Sequence, residues 1–188
     1  MTKQPRYRFR SLAFALGTVV ALAPFTAVGN ASAEPTDYGN GCAVYPHDRA
    51  ATIDALRFKC SVEQQDEIYV SAAAGSTPSG VTSGWVTRPA IMAAMAPPLW
   101  IGKTFYTGSN GGHLQNRITG AGIEGWVADV YLGTSKVDNE PAWILNYAPS
   151  PTPPLLDEIR EVSPGVWFGL SWWRDPAISP LLLAFVVS

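Results

Sequence analysis

The 188-residue chain is poor in the groups that most catalytic and metal signatures require. It has two cysteines and two histidines, with no CxxC pair and no set of three spaced zinc ligands. There is no Gly-x-Ser-x-Gly elbow, so a triad drawn from His113, Asp129 and a serine has no local support. His47 follows Pro46 and His113 follows Gly111-Gly112, both loop-like contexts. No cofactor and no metal are expected. Basic charge is scarce beyond the first 33 residues: four of the 13 Lys and Arg lie there, and none of the 15 Asp and Glu do. The remainder holds nine basic against fifteen acidic side chains, net −6, which argues against nucleic acid as a partner because phosphates need a basic footprint. After the leader no apolar run reaches the roughly 20 residues of a spanning helix, so no transmembrane helix is expected in the mature chain.

What is present begins with an address. Lys3, Arg6, Arg8 and Arg10 form a basic head, 12–28 is nearly all apolar, and Ala31-Ser32-Ala33 offers a small-residue cleavage site, the pattern of a signal peptide over 1–33. Gly17 and Pro24 interrupt the apolar run, which disfavours a retained anchor. A secreted or cell-envelope product is expected. In an oxidising compartment Cys42 and Cys60 should form a disulfide, closing an 18-residue separation worth roughly 3 kcal/mol on the chain-entropy model.

The 155 residues from Glu34 onward fit one compact unit with two parts. In 34–77, Gly, Asn, Pro and Tyr make an extended lead-in. Asp48 then caps a helix whose Ile53, Leu56 and Cys60 share a stripe, and Ser61-Val62-Glu63-Gln64 is a capping-box pattern opening a second short helix. In 78–188 helical spacing gives way to short β-rich runs separated by Gly, Pro, Asn and Asp. Eight strands are predicted, near 81–88, 100–107, 113–119, 125–132, 142–148, 155–162, 166–173 and 181–187, with a helical insertion around 90–96. The short connections, 108–112 and 163–165 among them, suit hairpins, so the fold class is mainly β: an antiparallel eight-stranded meander. It should close into a barrel, which leaves no free edge, or form a strongly curved sheet. The proline-rich 148–154 is read as a stiff surface loop.

Side-chain alternation makes several strands apolar or aromatic on both faces. An eight-stranded barrel can hold one small ligand, although the seven tryptophans could equally fill a solid core. The candidate wall of a ligand site is Trp100, Phe105, Tyr131, Trp143, Phe168 and Trp172, with Lys103, Asn116, Arg117, Glu158 and Arg160 as polar anchors. An inward Lys103 or Arg117 would receive a carboxylate or phosphate. Asp157 and Glu158 are neighbours on one strand and face opposite ways, so they cannot serve as a two-carboxylate pair. The simple structural role for Arg160 is a cross-strand ion pair with an acid such as Asp129.

The pattern W-x-G-K-x-F at Trp100–Phe105, Asn116-Arg117, V-Y-x-G-x-S from Val130, Asp138 and D-E-I-R-E-V-x-P-G from Asp157 resembles a family of uncharacterised bacterial secreted proteins from about Pro78 to the C-terminus. That likeness carries positions and no chemistry. The Trp-x-Gly-Lys element is also similar to the opening strand of calycin-type barrels such as lipocalins, preceded here by one predicted strand; the resemblance implies a calycin-like barrel. The expected function is a secreted binding protein for a small hydrophobic or amphipathic ligand, with a cell-envelope lipid among the candidates. The alternatives are a cofactor-free lyase, isomerase or hydrolase using Asp157 or Glu158 with Arg117 or Arg160, and a structural envelope protein with a filled barrel.

Overall fold

The computed structural model describes residues 33–188 apart from Pro176, so the expected signal peptide lies outside the described residues save for Ala33. A short hairpin comes first: β1 (Thr36–Gly39) pairs antiparallel with β2 (Cys42–Val44). Its turn is Asn40-Gly41, with φ of 54° and 80°, the left-handed pair that a tight two-residue hairpin demands. The lead-in expected to be merely extended is therefore a hairpin.

Helix α1 (Arg49–Phe58) starts where expected, with the Asp48 side chain accepting from the Ala51 amide. Helix α2 (Val62–Ser71) carries the full capping box: Ser61 Oγ accepts from the Gln64 amide, and Gln64 Oε1 accepts from the Ser61 amide. Cys42 and Cys60 are bonded, tying the hairpin to the α1–α2 connection.

Eight antiparallel strands then close a barrel in simple meander order: β3 (Gly80–Arg88), β4 (Gly102–Gly108), β5 (Gly111–Ile118), β6 (Ile123–Thr134), β7 (Pro141–Asn146), β8 (Leu155–Ser163), β9 (Val166–Trp173) and β10 (Leu181–Val187), with β10 pairing back onto β3. A short six-residue helix, α3 (Ala90–Met95), lies in the β3–β4 connection. This is a mainly β, calycin-like barrel. The Trp-x-Gly-Lys element opens its second strand, not its first.

Two apolar clusters share the barrel wall. Outside, Ile53, Leu56, Ile68 and Tyr69 of the helices pack with Val166, Phe168, Leu170, Ala184 and Val186 of β9 and β10. Inside, Phe105, Leu114, Val130, Trp143, Leu145, Ile159, Trp167 and Val187 fill the lumen toward one end. Strands β8, β9 and β10 are thus largely buried on both faces, which explains the unbroken apolar run of β10 and the nearly unbroken one of β9, while the charged side chains of β8 are buried with partners. No helix among the described residues is long and apolar enough to cross a membrane.

Candidate functional site

Strand direction sorts the connections between two ends. The β3–β4, β5–β6, β7–β8 and β9–β10 connections gather at one end, and the short β4–β5 and β8–β9 turns at the other. Beneath the first set the lumen is not filled. A cavity of about 440 Å³ opens there, walled by Val86, Ile118, Leu155, Leu183 and Phe185 and rimmed by Met92, Met95 and Leu99 from the α3 segment and by Trp126. The barrel is therefore solid in one half and open in the other.

Local sequence explains the opening. Gly102 has φ 139°, and a Cβ there would strike the Thr82 carbonyl, so only glycine lets β4 start this close to β3. Gly84 leaves room for the Trp100 ring, which turns against Phe185 edge-to-face at 5.7 Å. The residue after Gly102, Lys103, then points into the lumen. Across β5–β6 the register slips between Leu114 and Asn116, a bulge at which Trp126 takes φ 50°. That bulge brings the indole to the rim and offers the Trp126 carbonyl to the Asn116 amide at 2.8 Å.

A buried polar cluster borders the cavity. Lys103 Nζ donates to Asp157 Oδ2 at 3.0 Å, to Tyr147 Oη at 2.6 Å and to Asn116 Oδ1 at 3.0 Å. Tyr147 Oη also donates to Asp157 Oδ2 at 3.0 Å, and Trp100 Nε1 donates to Asn116 Oδ1 at 2.9 Å. All four members of the cluster, Lys103, Asn116, Tyr147 and Asp157, are buried and line the cavity. Burial pulls the Lys103 ammonium below its ordinary pKa, opposed by the Asp157 charge, and pushes the Tyr147 phenol well above its own, helped by the same carboxylate. The Lys103–Asp157 pair keeps the site electrically balanced, and Tyr147 stays protonated.

Of the expected site residues, Trp100, Lys103 and Asn116 line the cavity. Phe105 and Trp143 also face inward but belong to the packed half. The others are on the outer side of the wall. Arg117, next to the inward Asn116, donates to the Thr82 carbonyl at 3.1 Å, and Tyr131 is solvent-exposed. Phe168 and Trp172 pack in or against the helix-covered cluster. Glu158 accepts from the Lys136 amide at 2.8 Å and from Trp172 Nε1 at 3.0 Å. Arg160 makes a bidentate pair with Asp138 at 2.6 and 2.7 Å and donates to the Tyr69 and Pro141 carbonyls. Its ion-pair partner is Asp138, in the β6–β7 loop, and not Asp129. Lys103 does face inward, but with its charge matched it is no free anion receptor. Arg117, Glu158 and Arg160 do not converge with Asp157 in the cavity; Glu158 and Arg160 share the outer face, where Arg160 is held by Asp138. Tyr147, Trp126 and the α3 methionines are site members that strand alternation alone did not single out.

No family model matches the sequence, and no curated protein matches it. Among solved structures, the crystal structure of a protein from Thermomonospora curvata is similar at 17% identity and a TM-score of 0.46, covering 69% of this chain and 87% of that one; a likeness this distant adds nothing to the barrel already described.

The outer carboxyl has a measurable consequence of its own. Burial raises the Glu158 pKa, opposed by hydrogen bonding from the Lys136 amide, Trp172 and Ser135 and by the Arg160 charge. Above the unfolded value of about 4.3, native Glu158 keeps a proton that the unfolded chain has released, so unfolding free energy falls as pH rises through that window. Asp138, held below its ordinary range by Arg160, acts oppositely and only in more acid solution. Urea midpoints measured from pH 4 to 7 should drop less steeply in Glu158→Gln than in the parent protein; equal slopes would show that this carboxyl is not the cause.

Proposed function

We propose that the protein is a secreted carrier that binds one small apolar or amphipathic molecule in the open half of its barrel. The observation that carries this reading is the cavity itself. Its volume of about 440 Å³ lies within the range of roughly 300–1,000 Å³ common to small-molecule sites, and a mostly apolar wall with a few convergent polar groups is their usual composition. The apolar body would lie against Leu183, Phe185 and the Met92, Met95 and Leu99 rim, with its polar end at the Lys103–Tyr147–Asp157 cluster. A filled barrel acting only as structure would not need an open half. Export is supported by the leader pattern of 1–33 together with the Cys42–Cys60 bond. A cell-envelope lipid is one molecule of suitable chemistry.

Titration with the fluorescent apolar probe N-phenyl-1-naphthylamine tests the reading. Saturable binding of one probe per chain, with micromolar Kd and displaced by apolar competitors, is expected. Emission that never saturates, or that persists unchanged under excess competitor, would contradict it.

A further inference from the structure

We infer that the ligand's polar end is an uncharged hydrogen-bond donor, an alcohol, whose hydroxyl is accepted by Asp157 Oδ1, and not a carboxylate or phosphate. The inference rests on the ligand-binding reading above and adds the chemical class of the ligand.

The cluster's donors are already spent. Lys103 has three N–H groups and three acceptors within hydrogen-bond distance. The Asn116 amide nitrogen serves the Trp126 carbonyl and Tyr147 Oη, and the Trp100 and Tyr147 protons are placed on Asn116 and Asp157. An anionic head would find no free N–H here and would lie beside a carboxylate. The unmatched atom is an acceptor: Asp157 Oδ1 is buried and has no hydrogen-bond partner among the described residues. A buried carboxylate oxygen left unpaired is costly, so a donor that reaches Oδ1 is favoured there over an acceptor. Ser171, opposite Asp157 across β8 and β9 and also lining the cavity, can donate or accept and so sets no preference of sign.

Charge balance excludes the cationic donor as well. Lys103 and Asp157 form an ion pair at 3.0 Å and the phenol is neutral, so an ammonium would bring a net charge into an apolar space, where it is strongly disfavoured. A hydroxyl satisfies the orphan oxygen without adding charge.

The test uses the full protein and displacement of N-phenyl-1-naphthylamine at pH 7 by four compounds that share a ten-carbon chain: decan-1-ol, its methyl ether, decanoate and decylammonium. Decan-1-ol should bind roughly tenfold tighter than the ether, which accepts but cannot donate, and tighter than both ions. In Asp157→Asn, which leaves the Lys103 charge unmatched, the preference for the alcohol over the ether should shrink and decanoate should gain. Equal affinity for alcohol and ether, or tightest binding by either ion, overturns the inference while leaving the carrier reading intact. Failure of the probe itself to bind overturns both. Should Asp157→Asn not fold, the alcohol–ether comparison on the parent protein still decides.

Discussion

Replacing Lys103 with methionine is expected to lower the unfolding free energy by about 3–5 kcal/mol, the usual cost of stripping one partner from a buried ion pair. Lys103 and Asp157 have side chains only 3% and 5% exposed. Methionine fills most of the lysine volume, so the loss is electrostatic more than steric. It leaves Asp157 with one hydrogen bond, from Tyr147, and with Oδ1 already unpartnered. The second half of the expectation is the informative one. In the Lys103→Met/Asp157→Leu double variant both charges are gone, and an apolar replacement of a buried pair is commonly neutral or better, so most of the lost stability should return. Urea unfolding of the parent, both single variants and the double variant measures the coupling directly. A Lys103→Met cost below about 1 kcal/mol would place the pair in the class of exposed ion pairs and would remove the desolvated character on which the site's polarity depends.

Leu183→Trp is expected to reduce ligand affinity at least a hundredfold while changing stability by less than about 1.5 kcal/mol, since the added ring enters empty space and not a packed core. Leu183 lies half-buried on the cavity wall next to Phe185's side of the lumen, so an indole there takes up the volume that an apolar ligand body needs. A matching substitution in the solid half, Leu114→Trp, would instead overpack a fully buried position and should destabilise by more. The contrast between the two halves, read by probe titration and urea unfolding together, separates a functional opening from a packing irregularity. Unchanged probe affinity in Leu183→Trp would mean that the probe binds elsewhere.

Most of the fold was legible because its signals are local. Each barrel strand is a short β-rich run between Gly, Pro, Asn or Asp, and the Asp48 cap and the Ser61–Gln64 box mark two helix starts that the structure reproduces. The β1–β2 hairpin was also legible in principle, since Asn40-Gly41 is the strongest short hairpin signal; it was hidden by the three- and four-residue lengths of its strands. The site was harder for a physical reason. Alternation shows which residues share a face and not which face is the lumen, and on β8 and β9 both faces are buried, one by the barrel and one by the helices. Glu158, Arg160, Phe168 and Trp172 therefore looked like interior residues and are outer ones, while Asp157, on the other face of the same strand, borders the cavity. Trp126 depends on a bulge, which adds one residue to the strand and breaks the period that the sequence pattern assumes. Tyr147 follows β7 and reaches the cluster only because the strand carries it there.

The most direct test of an occupied open half is native mass spectrometry of the protein isolated gently from its source, alongside Leu183→Trp prepared in the same way. Ligand binding in the cavity requires a co-purifying small molecule, one per chain, on the parent protein and its loss from the variant. Bare chains in repeated parent preparations, or the same added mass on parent and variant alike, would contradict it.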